Sequence, residues 1–291
     1  MSDAVPLRRV ATNGIHLEVA EAGPEGGPLA ILLHGFPEPW AGWRHQIGPL
    51  AAAGYRVVAP TQRGYGGSDR PRGVAAYHLD ELVADLLGLI DAYGRERAVL
   101  VGHDWGGIVA WAAIERHPDR FERAVILNAP HPAAMQATLR SDFKQMLRSW
   151  YVFTFQLPFL PERLLARRDF RPLERAMTST ARPGAFDPAD FEAYRAAWRQ
   201  PGALRSMIHW YRAAARAPRW PAAAAPIAVP TLLIWGVLDH ALGPELARLS
   251  YARCRSARLE WLDDATHWVA HEEPDRVNRL ILDFLGPPAL S

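Results

Sequence analysis

An apolar strand, a single acidic residue and a helix that begins at once constrain this chain more than any other stretch. Residues 99–101 form a short apolar run typical of a buried parallel strand, and apolar residues recur at helical spacing from 106 to 111. Asp104 is therefore predicted to lie on a sharp turn between strand and helix. Such a turn needs small residues. The residues that meet this need are Gly102, Gly106 and Gly107.

The turn matches the G-x-S-x-G pattern of a nucleophile elbow, which lifts one side chain above a sheet, except that Asp104 replaces the usual serine. An aspartate, with a reference pKa of about 3.9, is already anionic at neutral pH. A helix N-terminus favours that charge by about 0.3–1 kcal/mol. The carboxylate can therefore attack a saturated carbon without a base to activate it. An aspartate that only caps a helix is the alternative interpretation.

Composition narrows the class of protein. With 291 residues and 49% hydrophobic content, the chain suits an α/β core that carries an inserted segment. The net charge is +2 and basic residues alternate with acidic ones, so no nucleic-acid partner is expected. The single cysteine, Cys254, excludes an internal disulfide and gives no metal-binding pattern. Because the sequence shows no signal core and no run of about 18 apolar residues, we expect a cytoplasmic protein without a membrane partner.

Apolar runs along the chain predict a mostly parallel sheet flanked by helices. An edge strand is predicted at 15–20 and a crossover helix at 79–90. Further strands are predicted at 29–33, 55–59, 99–101, 124–127, 231–235 and 258–262, and a closing helix at 274–285.

The strand pattern stops between residues 131 and 226, where helix formers, arginines and aromatic residues predominate. We interpret this segment as a helical cap that excludes water and shapes an apolar pocket. The predicted organisation is a first part of the core at 1–130, the cap at 131–226 and a second part of the core at 227–291.

Two polar residues follow the last predicted strands. Asp239 comes after strand 231–235 and His267 after strand 258–262, so the elbow aspartate, an acid and a histidine occur in the order of a catalytic triad. The acid could also have followed strand 124–127, but that position holds Asn128. Asp263 and Asp264 are expected to be solvated on the turn before the histidine.

The strand at 29–33 ends in the segment HGFPE, residues 34–38. A loop at this place supplies one amide of an oxyanion hole, and the residue after the nucleophile supplies the other. In this chain we expect these amides to be those of Phe36 and Trp105. His34, Gly35 and Pro37 are expected to support the loop.

Together these motifs resemble the cap-bearing epoxide hydrolases of the α/β-hydrolase fold over nearly the whole chain. The matching segments are HGFPE at 34–38, RGYGGSD at 63–69, GHDWGG at 102–107, WYVFTFQLPFLPE at 150–162, HWYR at 209–212, Asp239, and HWVAHEEP at 267–274. The resemblance implies an α/β-hydrolase fold, with a mostly parallel central sheet flanked by helices and an inserted helical cap. One departure lies at Thr61 and Gln62, where the family more often has an acidic residue.

The resemblance further implies that two cap tyrosines hold and protonate an epoxide oxygen, and by motif these are Tyr151 and Tyr211. Asp104 would then open the ring to give an ester. Neutral His267, oriented by Asp239, would activate the water that hydrolyses the ester to a vicinal diol. We expect a small apolar or aryl epoxide and water as reactants, and neither a metal nor an organic cofactor. The sequence leaves monomer or homodimer open.

Two alternatives remain. A haloalkane or haloacid dehalogenase uses the same triad, but it holds the leaving halide with a Trp after the nucleophile and a second Trp or Asn, or holds a carboxylate with arginines. Trp105 is present here, whereas Phe36 has no side-chain donor and no arginine follows Asp104. The second alternative, a ligand-binding member of the fold without catalysis, is disfavoured because every reactive position is filled.

Overall fold

The computed structural model describes residues 5–221 and 225–287 and contains one eight-stranded sheet. Its strands are β1 (Leu7–Thr12), β2 (Ile15–Ala22), β3 (Leu29–Leu33), β4 (Arg56–Thr61), β5 (Ala98–His103), β6 (Phe121–Leu127), β7 (Thr231–Gly236) and β8 (Ala257–Leu262). They lie in the order β1-β2-β4-β3-β5-β6-β7-β8. The six strands from β4 to β8 in this order are parallel, and β1 and β2 add an antiparallel edge. The carboxyl ends of the parallel strands therefore meet along one edge of the sheet.

Thirteen α-helices occur in the described residues. They are α1 (Arg44–Ala52), α2 (Leu79–Ala92), α3 (Trp105–Arg116), α4 (Pro132–Ser141), α5 (Phe143–Arg148), α6 (Trp150–Thr154), α7 (Leu160–Leu165), α8 (Arg167–Thr178), α9 (Pro188–Trp198), α10 (Ala203–Arg216), α11 (Pro244–Tyr251), α12 (Val269–Glu272) and α13 (Pro274–Leu285). None of these helices is long and apolar enough to cross a membrane.

Helices cover both faces of the sheet. Apolar residues of α2 and α3, such as Leu86 and Val109, pack on one face with Leu100 of β5. On the other face, Ile47 of α1 and Ile281 of α13 pack in a second cluster that includes Val101 of β5. Strand β5 is buried along its whole length because it is covered from both sides, which is why its sequence reads as a continuous apolar run.

The α/β architecture predicted from the sequence is confirmed, and one strand position is wrong. The strand predicted at the edge, β2, lies second in the sheet, between β1 and β4. Strand β1 occupies the edge itself. Its first residues, Leu7, Arg8 and Arg9, are exposed, so it lacks the apolar run by which the other strands were recognised.

Helices α4 to α10 occupy the chain between β6 and β7, and no strand is found in the described part of that segment. Three buried side chains connect it to loops of the core. Trp198 Nε1 donates to the Pro37 carbonyl at 2.7 Å, and Trp210 Nε1 donates to the Arg63 carbonyl at 3.1 Å. The Tyr194 hydroxyl donates to Glu38 Oε1 at 2.7 Å. The division at 1–130, 131–226 and 227–291 stays a prediction, and its residues 1–4, 222–224 and 288–291 lie outside the described ranges.

Candidate active site

Asp104 lies between β5 and α3 in a backbone conformation that side chains rarely adopt, with φ 50° and ψ −120°. Its amide donates to the Leu127 carbonyl at 3.3 Å, and its carbonyl accepts from the Ile108 amide at 3.0 Å. A Cβ at Gly106 would lie 2.0 Å from the Leu33 carbonyl oxygen, so only glycine lets the start of α3 approach β3 this closely. Strain of this kind persists where the surrounding structure enforces it, and here it presents the Asp104 side chain at the sheet edge.

The loop after β3 contacts the Asp104 carboxylate directly. The Phe36 amide donates to Asp104 Oδ1 at 2.8 Å. Trp105 is the first residue of α3, where a backbone N–H has no acceptor within the helix. Burial lowers the pKa of His34 to about 4. The neutral ring accepts from the Gln62 amide at 2.9 Å and donates to the Gly35 carbonyl at 3.0 Å, which fixes the loop.

Gly35 leaves no space for a side chain beside the candidate nucleophile. A Cβ at this position would lie 2.3 Å from the Asp104 Cβ and 2.6 Å from Oδ1. We expect Gly35→Ala to displace the carboxylate and to lower the rate of covalent capture of a substrate at Asp104 by about 100-fold, the cost of a misplacement of about 1 Å. Gly26→Ala is the matched control because nothing lies within 4 Å of a Cβ there. Equal rates for the two variants, measured in a single turnover, would contradict this packing argument.

His267 lies between two carboxylates. Its Nδ1 is 2.7 Å from Asp239 Oδ2, and its Nε2 is 3.6 Å from Asp104 Oδ2. Asp239 Oδ1 accepts from the Ala241 amide at 2.8 Å and the Leu242 amide at 2.9 Å. These bonds hold Asp239 in one orientation, so that it directs the histidine ring toward Asp104.

Asn128 also holds Asp239, a role that sequence reasoning missed. Its Nδ2 donates to Asp239 Oδ2 at 2.8 Å, and its Oδ1 accepts from the Gly236 amide at 2.8 Å. The signal that could have indicated this role is its place directly after β6, the strand next to β7.

The pKa values of Asp239 and His267 are shifted in opposite directions by neighbouring charges. Burial disfavours ionised Asp239, but His267 and the surrounding donors outweigh this effect and lower the pKa of Asp239. Burial also disfavours protonated His267. Asp239, and after it Asp104, outweigh that effect and raise the pKa of His267 to about 9. Histidine therefore carries a proton at neutral pH as long as both carboxylates are charged.

Tyr151 on α6 and Tyr211 on α10 face the same cavity as Asp104 and Trp105. The two phenol rings lie 6.0 Å apart at nearly a right angle. Neither hydroxyl donates to an acceptor among the residues that the structure describes. Burial, reinforced by the negative charge of Asp104, raises the pKa of Tyr151. Burial, Tyr151 and Asp104 likewise raise the pKa of Tyr211, so both phenols remain protonated donors.

The cavity has a volume of about 320 Å³ and is mostly apolar. One wall of the cavity is contributed by α4 and by the chain that follows α10. The residues of that wall include Met135, Gln136, Leu139, Pro218 and Trp220. A cavity of this size and lining suits a small apolar molecule.

Arg212, the residue after Tyr211, joins the two tyrosine-bearing segments. Its Nε donates to the Phe155 carbonyl at 2.9 Å, and one terminal nitrogen donates to the Leu157 carbonyl at 2.7 Å. The other pairs with Glu162 at 2.6 Å. Because Phe155 and Leu157 follow α6 directly, these bonds fix α6 against α10. Arg212 belongs to the HWYR motif, but nothing in the sequence indicated this contact.

Glu38 is a third residue whose role the sequence did not reveal. Its buried carboxylate accepts from the Tyr194 hydroxyl and from His271 Nε2, both at 2.7 Å, and lies 3.6 Å from His103 Nδ1. His103 Nε2 donates in turn to the His267 carbonyl at 2.9 Å. Burial opposes the charge of Glu38, but the two histidines that face it outweigh this effect and lower its pKa.

The structure thus brings the sequence-predicted residues together at the carboxyl edge of the sheet. The members of this group are Phe36, Asp104, Trp105, Tyr151, Tyr211, Asp239 and His267. Asp263 and Asp264 are exposed, as expected. Within residues 5–221 and 225–287, no group of three or more metal-ligating side chains could hold an ion.

The chain is similar to known proteins both in sequence and in structure. The alpha/beta hydrolase fold family matches residues 28–274. The AB hydrolase superfamily protein YfhM of Bacillus subtilis (strain 168) is 45% identical over 97% of this chain and 99% of its own length. Epoxide hydrolase 3 of Xenopus tropicalis is 38% identical over 95% of this chain and 76% of its own length. The crystal structure of Bacillus megaterium epoxide hydrolase with an inhibitor superposes with a TM-score of 0.88 at 29% identity, covering 96% of this chain and 99% of that one.

Proposed function

The chain belongs to the epoxide hydrolases of the α/β-hydrolase fold family, and on that premise we propose that it converts a small apolar epoxide into a vicinal diol through an ester of Asp104. The observation that carries the proposal is the pairing of two protonated phenols with a carboxylate in one apolar cavity. An epoxide oxygen leaves as a strongly basic alkoxide and needs a proton donor, whereas a carboxylate can attack carbon directly.

In the first step, Tyr151 and Tyr211 donate hydrogen bonds to the epoxide oxygen. Asp104 Oδ2 attacks a ring carbon from the opposite side, since the Phe36 amide holds Oδ1. A C–O bond to Asp104 forms as the ring C–O bond breaks. One phenol transfers its proton to the departing oxygen, which gives a hydroxyalkyl ester.

In the second step, His267 Nε2 takes a proton from a water molecule that attacks the ester carbonyl carbon. The Phe36 and Trp105 amides stabilise the resulting oxyanion, a contribution of about 3–4 kcal/mol per donor in other oxyanion holes. Collapse of this intermediate releases the diol. The proton left on the added hydroxyl group passes to the departing alkoxide, and Asp104 is regenerated as a carboxylate with one oxygen from water. His267 keeps the proton that it took from water, which is its state in the free enzyme.

Formation of the ester supplies the neutral base that the second step needs. Asp104 loses its negative charge when it is alkylated, and this charge is one of those that raise the pKa of His267. The pKa of His267 therefore falls from about 9 in the free enzyme toward its ordinary value in the ester. The histidine then releases its proton to the tyrosinate left by ring opening, so that it is neutral when it must accept a proton from water.

This coupling predicts the pH dependence of ester hydrolysis. Because only neutral His267 acts as the base, the hydrolysis rate should fall about tenfold per pH unit below its pKa in the ester, and level off above it. The midpoint should lie below about 9, the value for the free enzyme. Single-turnover decay of the ester, followed between acidic and alkaline pH, measures the profile. A rate that does not change with pH would contradict the assignment of His267 as the base.

A substrate panel tests the proposed reaction. We expect diol formation from aryl or alkyl epoxides with a kcat/KM at least about 100-fold above halide release from matched haloalkanes or fluoroacetate, which corresponds to about 2.7 kcal/mol of transition-state stabilisation. Phe36, which has no side-chain donor, supports this preference, and so do the two cavity tyrosines. Efficient halide release without diol from any epoxide would instead assign the chain to the dehalogenases. Absence of both products would indicate a ligand-binding member.

A further inference from the structure

Large apolar side chains are exposed along one stretch of the inserted helices. Of the twelve large hydrophobic residues that are exposed in the described chain, eight lie between residues 143 and 164. We call these the apolar outer face: Phe143, Leu147, Trp150, Phe153, Leu157, Phe159, Leu160 and Leu164. Phe143, Trp150 and Phe159 are each more than 60% exposed, which is unusual for aromatic residues that have no partner.

Helical spacing places the first part of this face on one side of α5 and α6. These two helices are separated only by Ser149, and Phe143, Leu147, Trp150 and Phe153 follow one another at intervals of four, three and three residues. The opposite side faces inward, where Tyr151 lines the cavity. A helix that is apolar on both sides is expected to have both sides covered. On α6, Tyr151 and Val152 line the cavity, whereas the outer side is exposed in the described structure.

The chain segment that carries the apolar outer face has more basic than acidic residues. Between residues 140 and 168 the chain has six basic and two acidic residues, although its net charge is only +2. The basic residues are all exposed, and none forms an ion pair within the described part of the chain; they are Arg140, Lys144, Arg148, Arg163, Arg167 and Arg168. Both acids have partners, since Asp142 caps α5 and Glu162 pairs with Arg212.

We propose that the apolar outer face docks on a membrane surface that contains anionic phospholipid. Exposed Trp, Phe and Leu with basic residues around them are the composition by which helices bind in the plane of a membrane interface. Each Lys or Arg close to an anionic surface contributes about 1 kcal/mol. A second copy of this chain fits less well, because a symmetric contact would bring the same six basic residues of each copy close together. Docking of this kind needs no membrane-spanning segment, the feature on which our expectation of no membrane partner depended.

Docking would place the substrate cavity close to the lipid. Helix α6 presents Tyr151 to the cavity and Trp150 to the outside. If the proposed function holds, an apolar epoxide dissolved in the bilayer would be concentrated at the helix that carries one of its two proton donors. The lipid binding itself does not depend on that function.

Sedimentation with vesicles tests the proposal independently of catalysis. We expect the unmodified protein to bind vesicles of phosphatidylcholine with about one third phosphatidylglycerol at least about tenfold more tightly than vesicles of phosphatidylcholine alone, and to lose this binding as salt is raised. The triple variant Phe143→Ser/Leu147→Ser/Phe159→Ser removes apolar contacts. A second triple variant, Lys144→Glu/Arg148→Glu/Arg163→Glu, replaces three positive charges with negative ones. Each should weaken binding at least about tenfold.

The double variant Leu249→Ser/Tyr251→Ser is the matched control, because it removes two exposed apolar side chains from α11 instead. It should bind as the unmodified protein does, and thermal unfolding of each variant checks the fold. The proposal is overturned if the unmodified protein binds neither vesicle, or if the control loses as much binding as the triple variant. It is also overturned if sedimentation equilibrium shows a dimer that the triple serine variant dissociates, since the face would then belong to a second copy.

Discussion

A His267→Ala variant is expected to turn over once and then stop. On the proposed path, attack by Asp104 does not need the histidine, whereas hydrolysis of the ester does, because the proposed base, His267 Nε2, faces Asp104 at 3.6 Å. General-base catalysis contributes about 10²–10⁴-fold, so steady-state turnover should fall at least about a hundredfold once hydrolysis limits the rate. Intact mass spectrometry should detect an adduct equal in mass to the epoxide, on the peptide that contains Asp104.

The matched control for this variant is His240→Ala, which removes an exposed histidine one residue from Asp239. It should turn over steadily without accumulating an adduct. Steady turnover of His267→Ala with no adduct would contradict the two-step path. In water enriched in oxygen-18, a single turnover of the unmodified protein should label Asp104 rather than the first diol released, since the entering oxygen joins the carboxylate.

The second large effect is expected from the cavity tyrosines. The double variant Tyr151→Phe/Tyr211→Phe should slow ring opening more than about a thousandfold, because no acid then faces the departing oxygen, and removal of one donor from a comparable site costs about 10²–10³-fold. Each single variant should be less affected, since the other phenol remains. The single-turnover rate of ester formation is the measurement.

Tyr251→Phe is the control for the tyrosine variants, because Tyr251 is exposed on α11 and outside the cavity. It should form the ester at the unmodified rate. If the double variant also formed the ester at that rate, the epoxide oxygen would have to be activated by another group, and the assignment of both tyrosines would be wrong.

The sequence predicted the residues that follow apolar strands and missed those that act through distant contacts. Asp104, Asp239 and His267 could be located because each follows a buried strand, and parallel strands end at a common edge. Glu38 and His271 are separated by 233 positions, and nothing local to either one indicates that they will be 2.7 Å apart. Such pairs are decided by how helices pack, which the apolar pattern of one segment does not specify.

The sequence pattern alone could not identify the two cavity tyrosines either. In an aromatic helical segment a buried tyrosine is ordinarily part of the packing, and only the resemblance to a family distinguished Tyr151 and Tyr211. The sequence did not predict the edge strand β1, because Arg8 and Arg9 are exposed and interrupt the apolar pattern. Sequence patterns therefore indicate which residues are buried. They indicate which residues contact each other only where burial in one element determines the contact.

The bonds of Arg212 have a consequence for how this protein could be altered in the laboratory. They fix the segments that carry Tyr151 and Tyr211 to each other, whereas Met135 and Leu139 on α4 form a wall of the cavity without joining that set of bonds. Libraries randomised at positions 135 and 139 can therefore reshape the space available to a ligand while the phenols keep their spacing. If the proposed function holds, the shape of the substrate site and the proposed acid catalysis can be altered separately, so directed evolution of this scaffold can begin on α4.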